Sequence, residues 1–163
     1  MRAFATLLIA IVLTQTACSR SSQQKDFDSA EAAAQALVAA VQAEKSGALL
    51  ELLGEQAEPV LNSGDPVQDK NSHDRFLQAY TSAHTLQTDA KGVTTLVVGA
   101  DEWPFPFPIV QRDGRYRFDS AAGIEEVINR RVGANELSAI QSCLAFVDAQ
   151  REYYVRNAER DPL

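Results

Sequence analysis

Cysteine is almost missing from the 163-residue chain. Its two copies, Cys18 and Cys143, stand in unrelated contexts, which excludes a disulfide framework. The linear sequence has no CxxC pair, no Gly-rich phosphate loop and no Ser-His-Asp signature. Histidine occurs only twice. His73 and His84 fall nearly in phase on one expected helix, three turns and roughly 16 Å apart, too far to share a metal. Asp69 and His73 make a two-ligand spacing that is common by chance, so no metal and no cofactor is expected. Basic residues are outnumbered 15 to 22, for a net charge of −7. That excess of acid speaks against a nucleic-acid partner.

Long apolar runs are absent too, apart from Ala3 to Leu13, which is too short to span a bilayer. With Arg2 before it, the run suits an export signal over residues 1–17. Thr14-Gln15-Thr16-Ala17-Cys18 then resembles a bacterial lipoprotein box, in which the Cys18 thiol receives a diacylglycerol. Gln15 departs from the usual apolar residue of such a box, and plain cleavage after Ser19 is the competing outcome. The expected location is periplasmic, with a lipid anchor at Cys18 in the outer rather than the inner membrane. Residues 18–27, Ser/Gln-rich, read as a flexible tether, and residues 28–163 as one domain.

What the chain does have is concentrated between Asp101 and Leu137. Trp103, Phe105, Phe107 and Ile109 alternate with Pro104, Pro106 and Pro108, so the large apolar groups share one face of an extended segment. Proline donates no backbone hydrogen bond, so this arm cannot be a central strand throughout. Asp113-Gly114 predicts a two-residue type I′ hairpin turn, with Arg112 opposite Arg115, Gln111 opposite Tyr116 and Ile109 opposite Phe118. Facing arginines are mildly unfavourable unless acids lie nearby.

The run WPFPFPIVQRDGRYRFDSAAGIEEVINRRVGANEL resembles the signature of a bacterial envelope family catalogued as domain of unknown function 2950. SGDPVQD, LVVGADEWPFPFP and FVDAQREY resemble further blocks of it, in the same order, over roughly Ser29 to Asp161. Members of that family usually continue beyond the equivalent of Arg151 into a second half, so the resemblance implies a chain matching the N-terminal half only. It implies a fold and a compartment, and no activity.

Elsewhere the pattern is mostly helical. Asp28 with Glu31 predicts a capping box before a helix through about Lys45, with Ala30, Ala34, Leu37, Val38 and Val41 inward. Ala48–Leu53 and an irregular Gln56–Ser63 follow. Asp65 as cap and Pro66 as first residue start a helix to about His84. Thr94–Gly99 is β-branched and reads as a strand. A helix from Asp119 or Ser120 is expected to break at Gly133. Asn135 then caps a last helix to about Ala158, with Leu137, Ile140, Leu144, Val147, Arg151 and Tyr154 at 3-4 spacing. The expected class is α+β, several helices on an antiparallel sheet of about three strands, with a long C-terminal helix.

Candidate chemistry is sparse. Asp101-Glu102 and Glu125-Glu126 read as solvated or arginine-paired acids. Arg130 and Arg131 beside Asn135 and Glu136 suit an anion, but an internal clamp onto Glu136 at the interhelix corner is the preferred reading. Cys143 reads as a buried, inert thiol. Two functions remain: a non-enzymatic envelope lipoprotein that binds a protein partner or supports an assembly, or a small-ligand or hydrolytic pocket. Trp103, Phe105 and Phe107 would line that pocket, with Arg130 or Arg131 as anion anchor.

Overall fold

A computed structural model of the chain describes residues 24–44 and 46–157. The expected export signal, its expected lipid site at Cys18 and the first residues of the expected tether lie outside them. Helices α1 (Ala30–Gln42), α2 (Ser46–Leu53), α3 (Glu58–Leu61) and α4 (Pro66–Ser82) come first, with a 3-10 turn at Glu55–Ala57 before α3. Strands β1 (His84–Thr88), β2 (Thr94–Val98), β3 (Trp103–Pro104), β4 (Ile109–Arg112) and β5 (Arg115–Phe118) follow, and α5 (Ser120–Asn157) closes the described chain. The class is α+β. The antiparallel sheet has the order β1-β2-β4-β5 with β3 also on β2, five strands rather than about three.

The hairpin forms in the expected register, Ile109 opposite Phe118 and Arg112 opposite Arg115. Asp113 and Gly114 have φ of 53° and 75°, the left-handed values a type I′ turn demands. Acids answer the facing arginines. Arg115 pairs with Asp28, Arg112 lies 3.7 Å from Asp119, and Arg117 Nε is 2.9 Å from Asp26 Oδ1. Ile109 and Phe118 are fully buried with Leu37, Leu53, Leu96, Val98 and Phe107.

Several expectations are corrected. Asp28 is taken by Arg115, so Ser29 caps α1 instead, its Oγ accepting from Ala32 N–H at 3.1 Å. The domain begins earlier than residue 28. Phe27 is buried and exchanges backbone hydrogen bonds of 2.8 and 2.9 Å with Tyr116, extending the sheet beyond β5. Helix α4 stops at Ser82, and His84 opens β1, where its ring stacks on Tyr80 at 3.9 Å. The two histidines therefore share no helix. The α4 pattern ran into β1 because Ala83-His84 carries no Gly or Pro to mark the change.

The largest departure is α5. It runs 38 residues without a break through Gly133. A mid-helix glycine costs only about 1 kcal/mol, less than the hydrogen bonds on both sides supply. The interhelix corner therefore does not exist, and Asn135 is an interior helical residue rather than a cap. From Ala134 to Arg156 every residue is exposed, Cys143 included, so that thiol is not buried. Among the described residues no helix is long and apolar enough to cross a membrane.

Candidate functional site

The Pro-rich arm runs antiparallel beside β2. Trp103 pairs with Val98 on β2, and the Phe105 N–H reaches Leu96 O at 2.7 Å. From there the row sinks inward: Trp103 is 44% exposed, Phe105 half-buried, Phe107 1% exposed and Ile109 fully buried. Alternation does put the aromatics on one face, as expected, but that face descends from surface to core. Phe105 is its hub, with ring centroids 5.5 Å from Phe76, 5.9 Å from Phe107 and 6.3 Å from Trp103.

Between this row and the helices lies a half-open cleft of about 340 Å³. Leu37 and Val41 of α1, Leu49 and Leu53 of α2, and Val127 of α5 supply its apolar walls. Its rim is polar, formed by Ser63, Asp69, Ser72, His73 and Arg131. A neighbouring hollow of about 360 Å³ shares Leu49, Leu61, Asp69 and His73 with it and extends toward Glu44 and Lys70. Helix α4 buries none of its residues fully: Phe76, Leu77, Ala79 and Tyr80 of its second half pack against the core, while Gln68, Asp69, Ser72 and His73 of its first half line the cleft. An apolar interior with a few convergent polar groups, at this volume, is the usual form of a small-ligand site.

The arginine pair divides its work. Arg130 Nε binds Glu126 Oε1 at 2.7 Å, its Nη1 donates to Pro104 O at 2.9 Å, and its guanidinium carbon lies 5.2 Å from the Trp103 ring centroid. It is committed to holding the arm. Arg131 is exposed on the rim, and its one described hydrogen bond goes from Nη2 to Val60 O at 2.8 Å. Arginine has five N–H donors, so most of its capacity stays available. Asn135 and Glu136 lie beyond the cleft, exposed, and neither arginine has a described bond to them. The expected clamp on Glu136 is absent because an unbroken helix carries that residue past the domain. Of the sequence-derived set, the cleft unites Trp103, Phe105, Phe107 and Arg131, and leaves Asn135 and Glu136 outside.

Asp69 and His73 belong to this rim, which the sequence reading missed. Their spacing of four residues on a capped helix marks a shared face, yet nothing local says that this face meets the aromatic arm. Hydrogen bonds from Ser63 hold the Asp69 carboxyl below the usual carboxylate range, with His73 and Arg131 adding electrostatic support against a small desolvation cost. The Ser63 N–H reaches Asp69 Oδ1 at 3.1 Å and Oδ2 at 3.4 Å. Among the described residues no three His, Cys, Asp or Glu side chains gather in a metal-binding cluster.

No curated protein and no solved structure matches the chain. The family model described as protein of unknown function (DUF2950) matches residues 24–162, from the segment that extends the sheet to beyond the end of described α5. With a match over nearly its whole length, the chain belongs to the DUF2950 family.

Proposed function

We propose that this is an exported bacterial envelope protein, held to the membrane by a lipid on Cys18, that works by binding. Its cleft takes a small amphiphilic anion, such as a short-chain or aromatic carboxylate, with the apolar body against Trp103 and Phe105 and the charged head on Arg131. The observation that carries this reading is the joining of an aromatic-walled cleft with an exposed arginine that has spare donors. The Ser63 hydroxyl supports binding over hydrolysis. It donates to Asp65 O at 3.3 Å and accepts from Asp65 N–H at 3.1 Å, which makes it a brace of the turn before α4 rather than a nucleophile served by His73. An envelope protein partner is compatible with the same reading.

Trp103 is the only tryptophan and stands at the cleft edge, so it reports occupancy directly. Hexanoate and phenylacetate are expected to shift its emission saturably, with hexanol and phenylethylamine much weaker. Arg131→Ala should weaken the carboxylates about tenfold or more, since a charged hydrogen bond contributes roughly 1.5–3 kcal/mol. Absence of any saturable change, or an affinity indifferent to Arg131→Ala, sinks the cleft reading. The anchor is tested separately: Cys18→Ala should move the protein from the detergent phase to the soluble periplasmic fraction.

A further inference from the structure

The outer half of α5 has no partner within the described chain. From Ala134 it continues for about 36 Å of helix with every residue exposed as far as Arg156. Leu137, Ile140, Leu144, Val147 and Tyr154 lie along one stripe and are 63, 56, 60, 42 and 54% exposed. With Arg151 they fill six consecutive seam positions of a heptad repeat, the a and d positions whose side chains interlock between paired helices.

We infer that this stripe is the interface with a second copy of the chain, the two α5 helices pairing antiparallel. Area and charge select this occupant. The five apolar side chains leave on the order of 500 Å² uncovered, the size of patch that marks an interaction surface. Two copies would hide roughly 1,000 Å², the level a specific dimer needs.

Charge then selects the direction. A parallel, in-register pair would set Arg151, which within its own helix has only a 3.8 Å surface ion pair with Asp148, against the partner's Arg151 inside the seam, with like charges facing each other. In an antiparallel pair with its twofold axis between Ala145 and Phe146, Leu137 meets the partner's Tyr154 and Leu144 meets the partner's Val147. Arg151 then lies beside the partner's Ile140, one helical turn from the partner's Glu136. Glu136 and Arg151 are fifteen residues apart in sequence, about 22 Å along one helix, so they cannot pair within a copy. Across the twofold axis they make two equivalent ion pairs at the ends of the seam.

The test is sedimentation velocity on the soluble chain from Arg20 onward, which lacks the expected signal and the lipid site. The expected result is a dimer. Leu144→Asp should give a monomer with unchanged domain stability, because Leu144 touches no part of the core; Phe146→Asp, on the opposite side of the helix, should leave the dimer intact. Glu136→Arg and Arg151→Glu should each weaken dimerisation about tenfold, and the two together should restore it. A chain monomeric at every concentration would assign the stripe to a different protein and overturn the proposal. So would a dimer that survives Leu144→Asp, and a charge swap that fails to restore association overturns the antiparallel pairing.

Discussion

Phe107 occupies the space a side chain at Gly123 would need: a Cβ there would come within 2.0 Å of Phe107 Cδ1. The missing side chain lets α5 lie directly on the aromatic arm, so the floor of the cleft and the first turn of the long helix are one packing unit. Gly123→Ala is expected to destabilise the domain by about 1–3 kcal/mol, the usual cost of overpacking. A lowered midpoint of chemical denaturation with an unchanged slope is the readout, and Phe107→Leu in the same chain should recover part of the loss. An unchanged midpoint would mean that the ring has room to move.

Gly133 should respond in the opposite sense. It lies inside α5, and a Cβ there would meet no atom within 4 Å. Gly133→Ala is expected to stabilise the protein by about 0.5–1 kcal/mol through helix propensity, visible as a higher Tm. A drop in Tm would restore the helix break that the local sequence suggests.

Arg130 and its neighbours give a third prediction. A double-mutant cycle between Glu126→Gln and Arg130→Ala should show coupling of about 0.3–0.5 kcal/mol, as for a partly exposed i,i+4 pair. The cycle between Arg130 and Glu136 should show none. Arg130→Ala alone should cost more than the coupling, since it also removes the bond to Pro104 O and the contact with Trp103. A red shift of Trp103 emission should accompany it.

Asp69 sets a pH dependence. Its folded pKa is depressed, chiefly by hydrogen bonds from Ser63. Stability from this group is therefore fully present above the ordinary carboxylate value of about 4 and is lost as pH falls through the lower folded value. Asp69→Asn should flatten the stability profile on the acid side of pH 4 and leave its slope near neutrality unchanged. A mutant profile parallel to wild type throughout would show that Ser63 does not favour the charged form.

Local chemistry was legible where the cause is itself local. Asp113-Gly114 specifies a turn and hence a register, and Asp65-Pro66 specifies where α4 starts, because each depends on the φ and hydrogen bonds of two or three residues. The choice between Asp28 and Ser29 as the cap of α1 was not local, since it turned on Arg115, 87 residues away in sequence. Strand β1 was illegible for a similar reason. His84–Thr88 is mostly exposed and carries little apolar signal, and it is a strand because β2 offers it an antiparallel ladder.

Sequence alone determined the α+β class, the hairpin, the single-faced aromatic row and the family, because periodicity and rare short words survive without a third dimension. Tertiary structure decided which of those residues form a site. Trp103, Phe105, Phe107 and Arg131 meet Asp69 and His73 only because α4 packs on the core through its second half and lines the cleft with its first. It also decided against the Glu136 corner. One glycine is too small a penalty to end a helix that is hydrogen-bonded on both sides, so α5 runs on and carries Glu136 and the apolar stripe clear of the domain.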